Sequence, residues 1–302
     1  MWQPGMKGNE MKVYICVDDT DDLTKSTSTG KIADLIAQEI IKMGGTMEKG
    51  ITRHQLLLHD DIDYTSHNSS MCMVIDIEGV EIPQMQEAAV KVLKENMAES
   101  SDPGLCFCRL DKLEKPEIFI AYGKRAQNEV IQKQEAYDLA SQLGGTVLEE
   151  YGGTGCGVIG ALAGVGLRLS GCDGVFRGGK GGKFDGQTHT VAEWKELTDI
   201  ELFLDFDGNV LKEDDMIEVG DQLKTSMVDH KVTLIASKKG DHYKACKKKE
   251  LYQGDKRVTA WTTACDKFEQ DNDIEECYDD SENACYNCLY RRWTAEGYCC
   301  VK

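Results

Sequence analysis

Four carboxylates fall within five residues at Asp18-Asp19-Thr20-Asp21-Asp22, directly after the apolar run Val13-Tyr14-Ile15-Cys16-Val17. Like charges this close repel, so packing alone would not select them. Hard oxygen ligands at the end of a buried strand suit Mg²⁺ held against phosphates, because Mg²⁺ keeps several waters and takes only one or two carboxylates. Asp18 and Asp19 are therefore candidate Mg²⁺ ligands and catalytic residues, with Asp21 and Asp22 candidate nucleotide contacts. The plain alternative is an acidic turn that caps the next element.

A second candidate is Tyr151-Gly152-Gly153-Thr154-Gly155-Cys156-Gly157, which opens a nearly all-apolar stretch from Val158. Glycines before a helix let backbone N–H groups approach an anion, and the helix N-terminus adds partial positive charge. Gly153, Thr154, Gly155 and Gly157 are the candidate phosphate contacts. The run is neither a Walker A sequence nor a dinucleotide fingerprint, and a bare glycine turn is the alternative. A third candidate joins Thr52-Arg53-His54 to Tyr64-Thr65-Ser66-His67-Asn68, on either side of the acidic loop Asp60, Asp61 and Asp63. Arg53 suits phosphate oxygens, and His67 with Asn68 suits the positioning of a reacting group. A lone histidine is more often a surface or satisfied core residue.

The chain carries 13 cysteines, an odd number. Without a secretion signal, metal binding, catalysis or burial outrank disulfides. Cys16, Cys72, Cys106, Cys108, Cys156, Cys172 and Cys246 are scattered among apolar or glycine-rich runs and read mostly as small core residues. Cys265, Cys277, Cys285, Cys288, Cys299 and Cys300 crowd the tail. Cys285-Tyr286-Asn287-Cys288 has the Cys-x-x-Cys spacing of a tetrahedral metal clamp. No second such pair follows, so any four-ligand site for zinc or an iron–sulfur cluster would combine four of these six thiols, and free or redox thiols are the alternative.

The elements that must position these groups alternate between strand and helix patterns. Strands are expected at 13–17, 51–58, 71–77, 105–110, 118–122 and 146–149, and helices at about 84–97, 124–143 and 158–169. Ile32, Leu35, Ile36, Ile40 and Met43 fall on one helical face, after N-cap candidates in Ser26-Thr27-Ser28-Thr29 and before Gly44-Gly45. In 124–143 the expected buried face is Ala126, Val130, Tyr137 and Ala140. The fold class is α/β (α+β): a mixed sheet covered by helices in the N-terminal domain, a smaller β-rich C-terminal part, and a Cys-rich tail. The expected boundaries are 11–177, 184–258 and 259–302. Gly178-Gly179-Lys180-Gly181-Gly182-Lys183 is read as a hinge or binding loop, and 266–283 as an acidic solvated segment.

The formal charge is −18 at pH 7. Nucleic-acid binding draws on Lys and Arg neutralising phosphates, so this balance disfavours a nucleic-acid partner; Lys247-Lys248-Lys249 is the one run of three basic residues. The opening residues lack the apolar region of a signal peptide, residues 1–10 read as a leader or alternative start, and no stretch has the length of a membrane span. A cytoplasmic location is expected, and a homodimer is compatible with the sequence.

Taken in order, Val17-Asp18-Asp19-Thr20-Asp21, Ser101-Asp102-Pro103-Gly104-Leu105, Tyr122-Gly123-Lys124-Arg125-Ala126 and Gly155-Cys156-Gly157-Val158-Ile159-Gly160-Ala161-Leu162-Ala163 form a recognisable set. Over residues 11–170 they resemble the kinase-like N-terminal domain of the tRNA-isoleucine agmatidine synthetases. Those enzymes use ATP to activate the C2 carbonyl of a tRNA wobble cytidine, which agmatine then attacks. The resemblance implies that Asp18, Asp19 and Asp21 sit near ATP phosphates and Mg²⁺, with the 155–157 turn lining the same cleft. Where the family has a Lys-Thr-Arg-Gly-Asn type of run, this chain has Tyr64-Thr65-Ser66-His67-Asn68, which keeps the Asn and loses the basic side chains. Beyond residue 170 no part of the family's later domains is matched. The resulting expectation is an ATP-dependent transferase or ligase that phosphorylates or activates a carbonyl or hydroxyl of a small molecule or protein group. The alternatives are a tRNA-modifying or RNA-binding protein of the agmatidine synthetase type, and a metal-binding or redox protein with a vestigial ATP cleft.

Overall fold

The computed structural model describes residues 11–22, 27–65, 67–178, 183–220, 223–246, 267–270, 288–294 and 297–300. The chain divides into two compact units, Met1–Leu169 and Ser170–Lys302.

The first unit is built on strands β1 (Lys12–Asp18), β2 (Thr46–Met47), β3 (Thr52–Gln55), β4 (Ser69–Asp76), β5 (Gly104–Arg109) and β6 (Thr146–Glu150). They run in the order β6-β5-β1-β4-β3, with β2 also on β4, and these pairs are antiparallel. Among the described residues, five α-helices accompany the sheet: α1 (Thr29–Lys42), α2 (Ile82–Asn96), α3 (Pro116–Ala126), α4 (Lys133–Gln142) and α5 (Gly157–Ser170). Side chains alternate faces along a strand. Val13, Ile15 and Val17 enter one core with Ile32, Ile36 and Leu93, while Tyr14 and Cys16 enter another with Phe119, Ala140 and Leu162. Burial on both faces explains why β1, β4 and β5 read in sequence as continuous apolar runs.

Helix α5 packs unusually close to the sheet. A methyl on Gly160 would lie 1.7 Å from Asp18 Oδ2, and one on Gly164 would lie 2.4 Å from Cys16 Sγ. Small groups lie beneath this glycine stripe: in register, Cys16 faces Cys72 on β4 and Cys106 on β5. Cys16, Cys72, Cys106, Cys108 and Cys246 are buried, as expected of small core residues, whereas Cys156 and Cys172 are exposed.

Two sequence expectations are corrected. The run 118–122 is the middle of α3, not a strand. Its β-branched and aromatic residues favour strand locally, but Pro116 opens a helix whose buried face is Phe119, Tyr122, Gly123 and Ala126, at helical spacing. The expected single helix 124–143 is instead the end of α3, a connection, and α4. Leu57 N–H donates to the Ala126 carbonyl at 3.1 Å and Gln127 Nε2 to the Gln55 carbonyl at 3.0 Å, so tertiary bonds turn the chain there. Val130, expected on a buried face, is accordingly 37% exposed. The Ser28 cap is as read: its side chain accepts from Lys31 N–H at the start of α1.

The second unit is β-rich. Its strands β7 (Val175–Phe176), β8 (Thr188–Thr190), β9 (Leu202–Asp205), β10 (Met216–Glu218), β11 (Ser226–Val228), β12 (Lys231–Lys239) and β13 (His242–Ala245) run β7-β11-β12-β13-β10-β8, with β9 on β12. The β9–β12 and β10–β13 pairs are parallel. One short helix, α6 (Val191–Leu197), buries Trp194, whose Nε1 donates to the Ile217 carbonyl at 3.1 Å. At seven residues α6 is too short for a periodic signal, and its legible mark is the capping box of Thr190 and Glu193. A further hairpin joins β14 (Arg291–Thr294) to β15 (Gly297–Cys300). Among the described residues no helix is long and apolar enough to cross a membrane.

Candidate functional site

The acidic loop leaves β1 abruptly because Asp19 is in the left-handed backbone region, with φ 55°. Asp is one of the few non-glycine residues found there with any frequency. Thr20 fixes the loop: its Oγ1 meets Thr29 Oγ1 at 3.0 Å in the first turn of α1, and its carbonyl accepts from Ala98 N–H at 2.9 Å. Asp22 is used on the flank, accepting from Ser100 Oγ at 2.5 Å. Asp18, Asp19 and Asp21 face a cavity of about 250 Å³ within the first unit.

His67, Asn68, Asp61 and Asp63 line the same cavity, as do Asp102, Lys133, Thr154, Cys156, Gly157 and Gly160. Leu56, Ile62, Ala126, Val130, Ile131 and Ile159 supply its apolar wall. Asn68 closes its own loop, donating from Nδ2 to the Leu57 carbonyl at 2.7 Å. The fold therefore brings together segments far apart in the chain: the acidic loop, the His67–Asn68 pair and the start of α5. Arg53, Gly153, Gly155 and Asp22 are not among the residues lining it. Arg53 is buried in β3, where its Nε donates to Ser69 Oγ at 2.9 Å.

Burial first, and then the Asp19 carboxylate, push the Asp18 carboxyl well above its ordinary value, against a lowering by the Asp19 N–H; Asp21 adds a smaller push upward. Burial, Asp102 and Asp63 raise Asp19 from 3.8 to about 7. Among the described residues, no cation contributes to either shift. Among the described residues, no group of three or more His, Cys, Asp or Glu side chains is arranged to hold a metal ion.

A stability prediction follows. Asp19 holds its proton in the folded chain to a higher pH than in the unfolded chain, so native protein binds more protons between about pH 4 and 7. Stability must then fall as pH rises through that window, and the penalty is complete above pH 7. With a chelator present, the melting temperature should decline from pH 5 to 8. Asp19→Asn should flatten the decline and stabilise the protein at pH 8 by about 1–3 kcal/mol. An unchanged pH profile in that variant would contradict the placement of Asp19.

The glycine turn differs from the open phosphate cradle that its sequence suggests. Asp102, at the entry to β5, places its Oδ1 on the N–H of Thr154 in a short bond and on the N–H of Gly155 at 3.2 Å. The Gly157 N–H donates to the Asp102 carbonyl at 3.0 Å. An internal carboxylate thus occupies the position of an anion at this turn. Asp102 was legible only as part of Ser101-Asp102-Pro103-Gly104, with no sign of which backbone it would meet. Lys133 is the second residue missed: its Nζ donates to Glu150 Oε2 at 2.8 Å and to the Thr154 carbonyl at 2.6 Å.

Of the tail thiols, Cys288 is buried and pairs in a short bridge with Gln270, and Cys299 and Cys300 lie in β15. Cys265, Cys277 and Cys285 lie outside the described residues, so the expected tail metal site is not described.

No protein-family description matches the chain, and no curated protein matches it. Solved structures do. The chain is similar to apo TiaS, a tRNA agmatidine synthetase, at 20% identity and TM-score 0.44, over 51% of this chain and 35% of that one. It is similar to TiaS in complex with its tRNA, AMPCPP and agmatine at 18% identity and TM-score 0.45, over 70% of this chain and 52% of that one. A tRNA fluorescent labeling enzyme matches at 21% identity and TM-score 0.45, over 51% and 36%. The likeness is one of fold. The chain spans 35% to 52% of the length of these structures.

A further structure, TiaS in complex with tRNA and ATP, matches at 22% identity and TM-score 0.45, over 52% and 36%, so two of these structures are complexes of TiaS with tRNA. This overturns the expectation that nucleic acid is an unlikely partner. The −18 is a sum over the whole chain, whereas phosphate recognition depends on local fields.

Proposed function

We propose that the first unit binds Mg·ATP in the cavity at the foot of α5, and that the protein is an ATP-using, RNA-modifying enzyme of the agmatidine synthetase type. The observation that carries the reading is the placement of Asp18 and Asp19. Two carboxyls raised by burial and by neighbouring carboxylates face a cavity that Thr154, Cys156 and Gly157 of the glycine turn also line. The ordered motifs of residues 17–21, 101–105, 122–126 and 155–163 give the reading its family direction.

In this reading Asp18 and Asp19 would hold Mg²⁺, which would supply positive charge against the phosphates during γ-phosphoryl transfer. The apolar wall of Leu56, Ala126 and Ile131 receives the base. His67 and Asn68 face the other side of the cavity and orient an acceptor carbonyl oxygen toward the phosphorus. That oxygen forms the new O–P bond as the bond from the γ-phosphorus to the bridging oxygen breaks and ADP leaves. A nucleophile then attacks the activated carbon and expels phosphate.

The test is ATP turnover by the purified chain with and without tRNA. Stimulation by tRNA and none by free nucleosides is expected. Turnover independent of RNA but driven by a small metabolite or a protein extract would replace the RNA acceptor with that class.

Cys156 offers a direct check on the nucleotide. It is exposed and lines the cavity, while Cys172 is exposed in the other unit. Mg·ATP at ten times its dissociation constant should slow alkylation of Cys156 about tenfold and leave Cys172 unchanged, read by peptide mapping. Equal rates at Cys156 with and without nucleotide would place ATP elsewhere.

A further inference from the structure

Among the described residues that line the cavity, Lys133 alone is a lysine or arginine. It shares the lining with Asp18, Asp19, Asp21, Asp61, Asp63, Asp102 and Glu129. A triphosphate brings several negative charges into this cavity, and Mg²⁺ on Asp18 and Asp19 offsets only part of them. Positions 64–68 hold Tyr, Thr, Ser, His and Asn, none of them a permanent cation. A cationic contact must then come from another element.

Lys133 is placed to supply it. It is the first residue of α4, carried on the connection that the α3 end turns back over residues 55–57. Its ammonium reaches the Thr154 carbonyl at 2.6 Å, while the Thr154 N–H is bound to Asp102, whose charge in turn raises Asp19. Hydrogen bonds thus join the lysine to Asp102 through Thr154 of the glycine turn. Its ion partner, Glu150, meets it at 2.8 Å with side chains 36% and 43% exposed. An exposed pair of this kind is worth little, so the ammonium can exchange one oxygen partner for another at small cost.

We propose that Lys133 is the phosphate-contacting residue of this cavity, held by Glu150 and the Thr154 carbonyl until a nucleotide triphosphate takes the ammonium from Glu150. This rests on the reading of the cavity as a Mg·ATP site. A lysine serves as a mobile point charge on a flexible stem, which suits a group that changes partners. Glu150 is then a competitor for the lysine and not its working partner.

The experiment is calorimetric titration of Mg·ATP into wild type, Lys133→Met and Glu150→Gln, with apo melting temperatures measured alongside. Lys133→Met should weaken ATP by roughly 10- to 100-fold, the range for losing a charged hydrogen bond, with the apo melting temperature nearly unchanged. Glu150→Gln should bind ATP as well as wild type or more tightly. Unchanged affinity in Lys133→Met overturns the assignment. So does a Glu150→Gln variant as weak as Lys133→Met, since the ion pair would then be shaping the turn. Loss of ATP binding in Lys133→Met together with a large fall in apo stability overturns it in the same way. Wild type that binds no Mg·ATP removes the nucleotide reading itself, an outcome visible without either variant.

Discussion

Mg·ATP at a hundredfold excess over its dissociation constant should stabilise the first unit by about 2.7 kcal/mol, raising its melting temperature by roughly 5–10 °C. Asp18→Asn and Asp19→Asn should abolish that shift. Both substitutions keep side-chain volume, which matters at Asp18, because its carboxylate fits against Gly160, with an added methyl there lying 1.7 Å from Oδ2. The apo variants should remain folded, and Asp19→Asn should be more stable than wild type at pH 8, since it removes a carboxyl raised to about 7. The pairing of higher apo stability with lost nucleotide response is the signature of repulsion retained for a cation. A full ATP shift in both variants would remove the acidic loop from the site.

The second large effect is on folding. Gly157 invites the reading that a bulky residue would block phosphate approach and spare the fold. The structure reverses it. A methyl at Gly157 would lie 2.2 Å from the Asp102 carbonyl oxygen and 2.7 Å from the Gly104 N, both backbone. Backbone cannot move aside as a flexible side chain can, so Gly157→Ala should cost about 3 kcal/mol and Gly157→Val more. Gly104 has the same constraint from the other side, with an added methyl 2.3 Å from the Gly157 carbonyl carbon. Urea unfolding of Gly157→Ala with a midpoint close to wild type would show that β5 and α5 are less tightly apposed than described.

These glycines show how far the sequence could be read. Glycine at 157, 160 and 164 marks a helix that lies against something, and the same residues before an apolar helix also mark an anion site. Spacing does not distinguish the two, because the decision depends on what the fold places beneath. Here it places Asp18, Cys16 and the β5 backbone. The β1, β4 and β5 strands were legible because burial on both faces leaves an unbroken apolar run, and α1 because Ser28 caps it. The run 118–122 misled because Ile118, Phe119, Ile120 and Tyr122 favour strand in isolation, while their burial follows a helical period set by packing against α5. A methyl at Gly166 would lie 2.1 Å from the Phe119 carbonyl oxygen, which is the close crossing that fixes α3 as a helix.

The site was half legible. Asp18, Asp19, Asp21, His67, Asn68, Thr154 and Gly157 were all read from local patterns, and they share one cavity. Asp102 and Lys133 were not, because each acquires its meaning from a partner distant in sequence: Thr154 lies 52 residues from Asp102 and 21 from Lys133. Arg53 was read as a phosphate ligand from residue type alone, but the pleat turns it into the sheet at β3, where Ser69 receives it. Charge was legible only as a total, which carries no information on where the carboxylates lie.

A crystal structure of the chain with Mg²⁺ and a non-hydrolysable ATP analogue tests the central assignment most directly. Density for the triphosphate is expected between Asp18, Asp19 and the Thr154–Gly160 segment, with Mg²⁺ on the two carboxylates and the base against Ala126 and Ile131. Nucleotide density elsewhere on the chain, with the Asp18–Asp19 cavity holding only water, would contradict it.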